Sequence, residues 1–177
     1  MTIRKAQPED LDAVLGLCRF CVDDMLAGGI RQWDACYPGP QIFASDIAGG
    51  SLWLAFHEGR LVGSLTLNTE QNVEYLTVPW RFVGGRIALL HRLMVLPACH
   101  RQGVARLLVR FAEQQAAGRG FSSMRLDTFT GNFRALALYR EMGYLEGGLV
   151  YFRGREFRCF EKELHDAPAE PAEGGVK

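Results

Sequence analysis

Apolar residues change their spacing along this chain, and each change marks an element. Val104, Leu107, Leu108, Phe111 and Ala112 fall at i, i+3, i+4, i+7 and i+8, one face of a 3.6-residue period, which predicts a helix running to about Gly118. The preceding apolar run, Leu89, Leu90, Leu93, Met94, Val95 and Leu96, stops at Pro97 and reads as a strand. Upstream, Thr2 to Ala6 alternates apolar and basic residues, and Pro8-Glu9-Asp10 places proline and acids where a helix first turn wants them. A strand and a helix from about Pro8 to Leu26 follow from that pattern. Gly28-Gly29 ends the helix, and a second, about Gln41 to Ala48, closes at Gly49-Gly50. Ser51–His57 and Leu61–Leu67 flank a glycine-containing turn and predict a hairpin. Val73–Val83 contains Pro79, which a regular central strand forbids, so it reads as an irregular crossing. Ser122–Phe129 predicts a fifth strand. Asn132 then opens a helix with Ala135, Leu138, Tyr139 and Met142 on one face, and Tyr144–Tyr151 with Glu156–Glu163 forms a closing hairpin. Seven strands and four helices interleaved in this way predict an α/β chain without internal repeats.

The loop between the fourth strand and the third helix carries chemistry. It reads His100-Arg101-Gln102-Gly103-Val104-Ala105. Amides at a helix start have no intrahelical partner and sit at the positive end of the dipole, so a loop feeding them holds an anion, and Gly103 allows close approach. The segment resembles the pyrophosphate loop of the GNAT superfamily of N-acetyltransferases, usually Gln/Arg-x-x-Gly-x-Gly/Ala; the first position here is His. A second segment, Asn132-Phe133-Arg134-Ala135-Leu136-Ala137-Leu138-Tyr139 followed by Gly143-Tyr144, is similar to that family's Asn-x-x-Ala-x-x-x-Tyr pattern. The element order matches the family from Thr2 to Leu164. The resemblance implies a GNAT fold, a mixed central sheet of about seven strands with flanking helices, as a single domain over residues 1–164.

The same resemblance implies acetyl-CoA as acetyl donor, no metal, and direct transfer to a primary amine of a small molecule or peptide. It implies that Arg101, Gln102, Gly103, Val104, Ala105 and Arg106 hold the pyrophosphate. The backbone of Leu93, Met94 and Val95 would pair with pantetheine, and Asn132 would contact the same arm. The Tyr139 hydroxyl would protonate the departing thiolate; otherwise Tyr139 is an apolar-face aromatic of the core. Trp33 and Tyr37, in the aromatic loop between the first two helices, are candidates for the acceptor site or simple core caps, and Asp34, Glu74 and Trp80 are expected nearby. A catalytically silent acyl-CoA-binding or regulatory module on the same fold is the alternative.

Chemistry sets one further requirement. An alkyl ammonium with a pKa of about 10.4 must lose a proton before it attacks. His91 on the fourth strand is a candidate base, and equally a satisfied core histidine, with Arg92 pointing to the opposite face by the strand's period of two. Asp127, Glu74 and ordered water are rivals. Backbone N–H groups on a splayed fourth strand would serve the oxyanion.

Composition narrows the setting. Twenty basic and 20 acidic residues balance, which argues against nucleic acid or an anionic membrane as partner. No apolar run approaches the roughly 20 residues of a membrane span, and the amino terminus lacks a signal-peptide core, so a cytoplasmic location is expected. Five scattered cysteines suit free thiols, with Cys18 and Cys21 on the buried face of the first helix rather than in a metal site. Cys99 lies at the pyrophosphate end and is discounted as an acyl carrier. Closing strands rich in aromatics from Leu149 to Phe160 fit either a homodimer contact or a covered sheet edge. Residues 165–177, rich in proline, glycine, alanine and acid, are expected to be disordered.

Overall fold

A computed structural model describes residues 1–34 and 37–164. The expected disordered tail therefore lies outside the described residues. Strands β1 (Thr2–Lys5), β2 (Leu52–His57), β3 (Arg60–Asn68), β4 (Ile87–Val95), β5 (Ser123–Phe129), β6 (Leu145–Phe152) and β7 (Arg155–Glu163) form one sheet. Their order is β1-β2-β3-β4-β5-β7-β6. Only β4 and β5 run parallel, so the sheet is mixed as expected.

Four helices flank it: α1 (Leu11–Ala27), α2 (Pro40–Ala48), α3 (Val104–Ala117) and α4 (Phe133–Glu141). Helix α3 buries Val104, Leu108, Val109, Ala112 and Ala116 against one face, with Leu65, Leu67 and Leu90 of the sheet. Leu107, expected on that face, is 39% exposed; the buried stripe turns toward Val109 instead. On the opposite face α1 and α2 cover Leu52, Leu54 and Met94 with Val14, Leu17, Cys18 and Phe43. Cys18 and Cys21 are buried in this packing, as the helical spacing indicated. Close approach of α3 has a backbone requirement, since a Cβ on Gly63 would lie 2.8 Å from both Leu108 and the Met94 carbonyl. A side chain there would push the helix off the sheet.

The crossing from β3 to β4 is irregular, as Pro79 required. It forms a short 3-10 turn, Val73–Thr77, then a loop that docks on the sheet through buried polar groups. Glu161 accepts from the backbone N–H groups of Arg81 and Phe82 at 2.7 and 3.1 Å. Arg125 donates to Gln71 and to the Phe82 carbonyl, with its guanidinium 4.2 Å from the Trp80 ring centre. That docking drives Tyr75 fully inside, and the site depends on it.

Two irregularities open the sheet. Strands β4 and β5 pair only from Ile87–Ser123 to Leu89–Arg125 and share no ladder position beyond. Within β4 the pairing with β3 slips between Thr66–His91 and Ser64–Met94, three residues against two, and Arg92 sits at φ 48. The slip is a β-bulge. It overturns the expectation that Arg92 faces away from His91: the Arg92 guanidinium lies on Asp46 of α2, which also accepts from Thr66, the cross-strand partner of His91.

Candidate active site

Where β4 and β5 part, two cavities meet. The larger, about 520 Å³, is a groove between α1, the end of β4, the start of α3, and α4. Its floor is the segment Leu93–Val95, and its far end is formed by Cys99, His100, Arg101 and Gly103; Gln102, expected there, does not line it and donates its side-chain amide to the Ala98 carbonyl at 3.0 Å. Arg101 and Gly103 both take left-handed backbone, at φ 60 and φ 80, so the chain turns sharply enough to present the first amides of α3 to the groove. Space beyond the Gly103 Cα is open, and a Cβ placed there would meet nothing within 4 Å. Open room, convergent amides and the unpaired stretch of β4 fit an extended phosphate-bearing ligand such as acetyl-CoA.

His100 has a different task from a loop donor. Its Nε2–H is placed to donate to the Val95 carbonyl at 3.2 Å, leaving Nδ1 to accept from Arg134 at 3.1 Å. Arg134 in turn reaches Asp24 of α1 at 3.0 Å. The chain thus ties α1, the loop and α4 together across the groove. Cys21 also donates to the Val95 carbonyl, at 3.3 Å, and burial pushes its thiol up to about 12, which keeps it protonated and inert. Arg106 pairs with Glu141 of α4 and fixes the first turn of α3.

The second cavity, about 220 Å³, lies deeper between β4, β5, the loop before α2 and the turn joining β6 to β7. Tyr139 and Asp127 both line it. Tyr139 is 4% exposed, and burial, helped by the charge of Asp127, holds its phenol well above the ordinary value of 10. A phenol so placed is protonated throughout the physiological range. Asp127 is half-buried, and desolvation raises its carboxyl to about 6, against the opposing pull of a hydrogen bond from Tyr75 and the charge of Arg153. The Tyr75 hydroxyl donates to Asp127 Oδ1 at 2.6 Å. Tyr75 is itself held by Trp80, whose indole N–H donates to the Tyr75 carbonyl at 2.9 Å.

Other candidates fall as follows. Trp33 and Tyr37 both reach this cavity, with Trp33 shared between the two spaces. Asn132 lies at their junction, caps α4 by accepting from the Ala135 N–H at 3.1 Å, and donates to Gln32 at 2.7 Å. His91 lines the deeper cavity, but burial and the neighbouring Arg92 depress its pKa to about 4, and its Nε2 has no partner. An imidazole with that proton affinity is a weak base at neutral pH. Glu74 and Trp80 line neither cavity, and Asp34 is drawn to Arg155. Sequence reasoning missed Tyr75, Gln32 and Arg153. Nothing in their local pattern distinguishes them; the docking of the crossing loop brings in Tyr75, the closing hairpin brings in Arg153, and the loop between α1 and α2 brings Gln32 onto Asn132.

Among the described residues no group of three or more His, Cys, Asp or Glu is arranged to hold a metal, and no helix is long and apolar enough to cross a membrane. Residues 19–144 match the model of the acetyltransferase (GNAT) family. N-acetyltransferase 8 of Homo sapiens is 34% identical over 104 residues, 59% of this chain and 42% of that protein. The chain therefore spans less than half the length of that curated relative. An acetyltransferase of the GNAT family from Streptococcus agalactiae superposes with a TM-score of 0.81 at 21% identity, over 92% of this chain and 94% of that one. The PaiA N-acetyltransferase of Thermoplasma acidophilum, solved in complex with coenzyme A, gives a TM-score of 0.69 at 20% identity, over 92% and 98%.

Proposed function

This chain belongs to the acetyltransferase (GNAT) family, and from that premise we propose that it is an N-acetyltransferase acting on a primary amine of a small molecule or peptide by direct transfer in a ternary complex. The observation that carries the reading is the meeting, in one cavity beside the groove, of a carboxyl raised to about 6, which can take a proton near neutral pH, and a phenol held protonated, which can give one.

Acetyl-CoA, when bound, supplies an acetyl thioester. The amides from Arg101 to Arg106 would hold its pyrophosphate, and the open edge of β4 at Leu93, Met94 and Val95 would pair with its pantetheine arm. Asn132, at the junction of groove and cavity, would contact that arm. Asp127, ionised above about pH 6, accepts a proton from the acceptor ammonium and so frees the nitrogen lone pair. Tyr75 steadies the carboxylate that results. Tyr139 has a proton to give to the sulfur that departs, and the proton shed by nitrogen on forming the amide restores the balance. Trp33 and Tyr37 wall the acceptor side. His91, the other candidate base, keeps a role in the cavity wall, where its neutral ring adds no charge beside the ammonium.

Melting temperature with and without acetyl-CoA tests the cofactor half. Binding specific to the native state adds about 2.7 kcal/mol at a hundredfold excess over Kd, so a clear rise is expected, one that Gly103→Val diminishes. CoA release with a panel of amines tests the rest. A rise without turnover on any amine would favour a silent binding module; no rise at millimolar acetyl-CoA would remove both readings.

A further inference from the structure

We infer that the acceptor is an amine that also carries a carboxylate, an amino acid or a close derivative of one, and that Arg153 receives the carboxylate. The inference rests on the transferase reading and names the substrate class of its acceptor cavity.

Three charged side chains reach this cavity: Asp127, Arg92 and Arg153. Arg92 is already committed, since its Nε and one terminal nitrogen donate to the two oxygens of Asp46 at 2.9 and 2.8 Å in a largely buried pair. Arg153 differs. Its chain neighbours Arg155 and Arg158 pair with Asp34 at 3.2 Å and Glu146 at 3.4 Å, whereas among the described residues no carboxylate is in ion-pair contact with Arg153. What holds it is the Tyr37 ring, with the guanidinium carbon 3.8 Å from the ring centre. A contact through the π-cloud leaves the N–H edge available, and that planar fork matches a carboxylate.

The backbone adds to the case. Arg153 and Gly154 form the two-residue turn between β6 and β7, both at positive φ, 49 and 71. Such turns favour Asn, Asp or Gly at the first central position, and an arginine there is sterically disfavoured. The turn thus carries a long cation, exposed at the cavity mouth, in the place of a good turn former.

Charge complementarity sets the ligand. An ammonium entering the cavity finds Asp127, whose ionised form the Arg153 charge already favours, so the two side chains lie within electrostatic reach of one another. A zwitterion whose ammonium and carboxylate are a few bonds apart satisfies both at once. About 220 Å³ admits a molecule the size of one amino acid, and Trp33, Tyr37, Phe152 and Phe157 offer an apolar side chain a wall to lie on. An amine without an anion would leave the guanidinium with no counter-charge from the ligand.

The test is binding to the full chain saturated with CoA, by titration calorimetry. The probes are matched sets: L-phenylalanine, L-phenylalaninamide and 2-phenylethylamine, and the leucine and methionine equivalents. At least one acid is expected to bind about tenfold or more tightly than its amide and its decarboxylated amine, the worth of a charge-assisted hydrogen bond. Arg153→Gln should abolish that preference while leaving amide binding and the unliganded melting temperature in place, and Arg153→Lys should keep part of it. Amides binding as tightly as acids, or a preference that survives Arg153→Gln, would overturn the assignment. So would failure of every probe to bind; a melting-temperature rise with acetyl-CoA would then leave the transferase reading standing, and its absence would take that reading down too.

Discussion

The groove and the deeper cavity share a wall but are built from different materials. The groove is mostly main chain: the open edge of β4, a left-handed turn at Arg101 to Gly103, and the first amides of α3. The cavity is mostly side chain, gathered from the loop before α2, the bulged β4, the end of β5, α4 and the β6–β7 turn. A ligand read by amides can be held by one contiguous stretch, whereas a ligand read by side chains needs groups from wherever the fold brings them. Conformation specifies the first site, and position the second.

Substitutions should respect that division. Asp127→Asn keeps the shape of the cavity and removes its proton acceptor, so kcat is expected to fall by roughly 10²–10⁴, the usual worth of a general base. The melting-temperature rise with acetyl-CoA should persist, and loss of both together would mean the two spaces are not separable. The same variant has a stability consequence. A carboxyl whose folded pKa is raised, here from 3.8 to about 6, favours the fold below 3.8, and that advantage is lost as pH climbs through about 6. Asp127→Asn should therefore melt higher than wild type at pH 8 and close to it at pH 3.5, which parallel thermal scans would read.

Asp46→Ala attacks the frame between β4 and α2. It strands Arg92 in a site where the two side chains are only 10% and 7% exposed, and breaking such a pair costs about 3 kcal/mol. Denaturant unfolding should register that loss, and a change below about 1 kcal/mol would mean that water reaches Arg92 in solution. Gly103→Val acts on the groove alone. Left-handed backbone costs a residue with a Cβ about 1–2 kcal/mol, so the free loop should relax out of the conformation that presents its amides, and acetyl-CoA, which must restore it, should bind on the order of tenfold more weakly while kcat at saturation changes little. An unchanged affinity would place the anion elsewhere.

Tyr75→Phe is the smallest and most diagnostic change. Activity is expected to rise with pH along a limb near 6 as Asp127 ionises. Removing the hydroxyl takes away a hydrogen bond that favours the ionised form, so the limb should move to higher pH with less than about tenfold loss on the plateau. A limb that stays put would separate Tyr75 from the proton acceptor.

Legibility followed the same line. Element order and the loop at His100–Ala105 were readable because each is written in consecutive residues, as apolar period, proline or glycine; the splay of the fourth strand was expected only through the family resemblance. Tyr139 and Asn132 were candidates through that resemblance, and both line the deeper cavity. The bulge at Arg92 was not: it sets Arg92 on Asp46, a buried acid on a distant helix that accepts from both Arg92 and Thr66, and period-two reasoning sees only one strand at a time. Nor was His91's weakness as a base, because burial and a neighbouring cation lower its pKa and neither is local information. Tyr75 lies in a segment whose sequence announces only irregularity. Its placement depends on Glu161 and Arg125, distant in the chain, which dock the crossing loop.

The strand order has one more consequence, and it concerns the ribosome. β7 is the last of the seven strands to be synthesised, yet it lies inside the sheet, between β5 and β6. Until it emerges, β5 presents a bare edge and β6 has no neighbour. The turn carrying Arg153 then has nothing to close against, and the carboxylate of Glu161 that anchors the crossing loop does not yet exist. A nascent chain halted anywhere between β5 and residue 155 thus displays an unpaired strand edge to chaperones and proteases, while every residue of the groove loop is already made. Of the two spaces, the deeper cavity is the one that translation completes later.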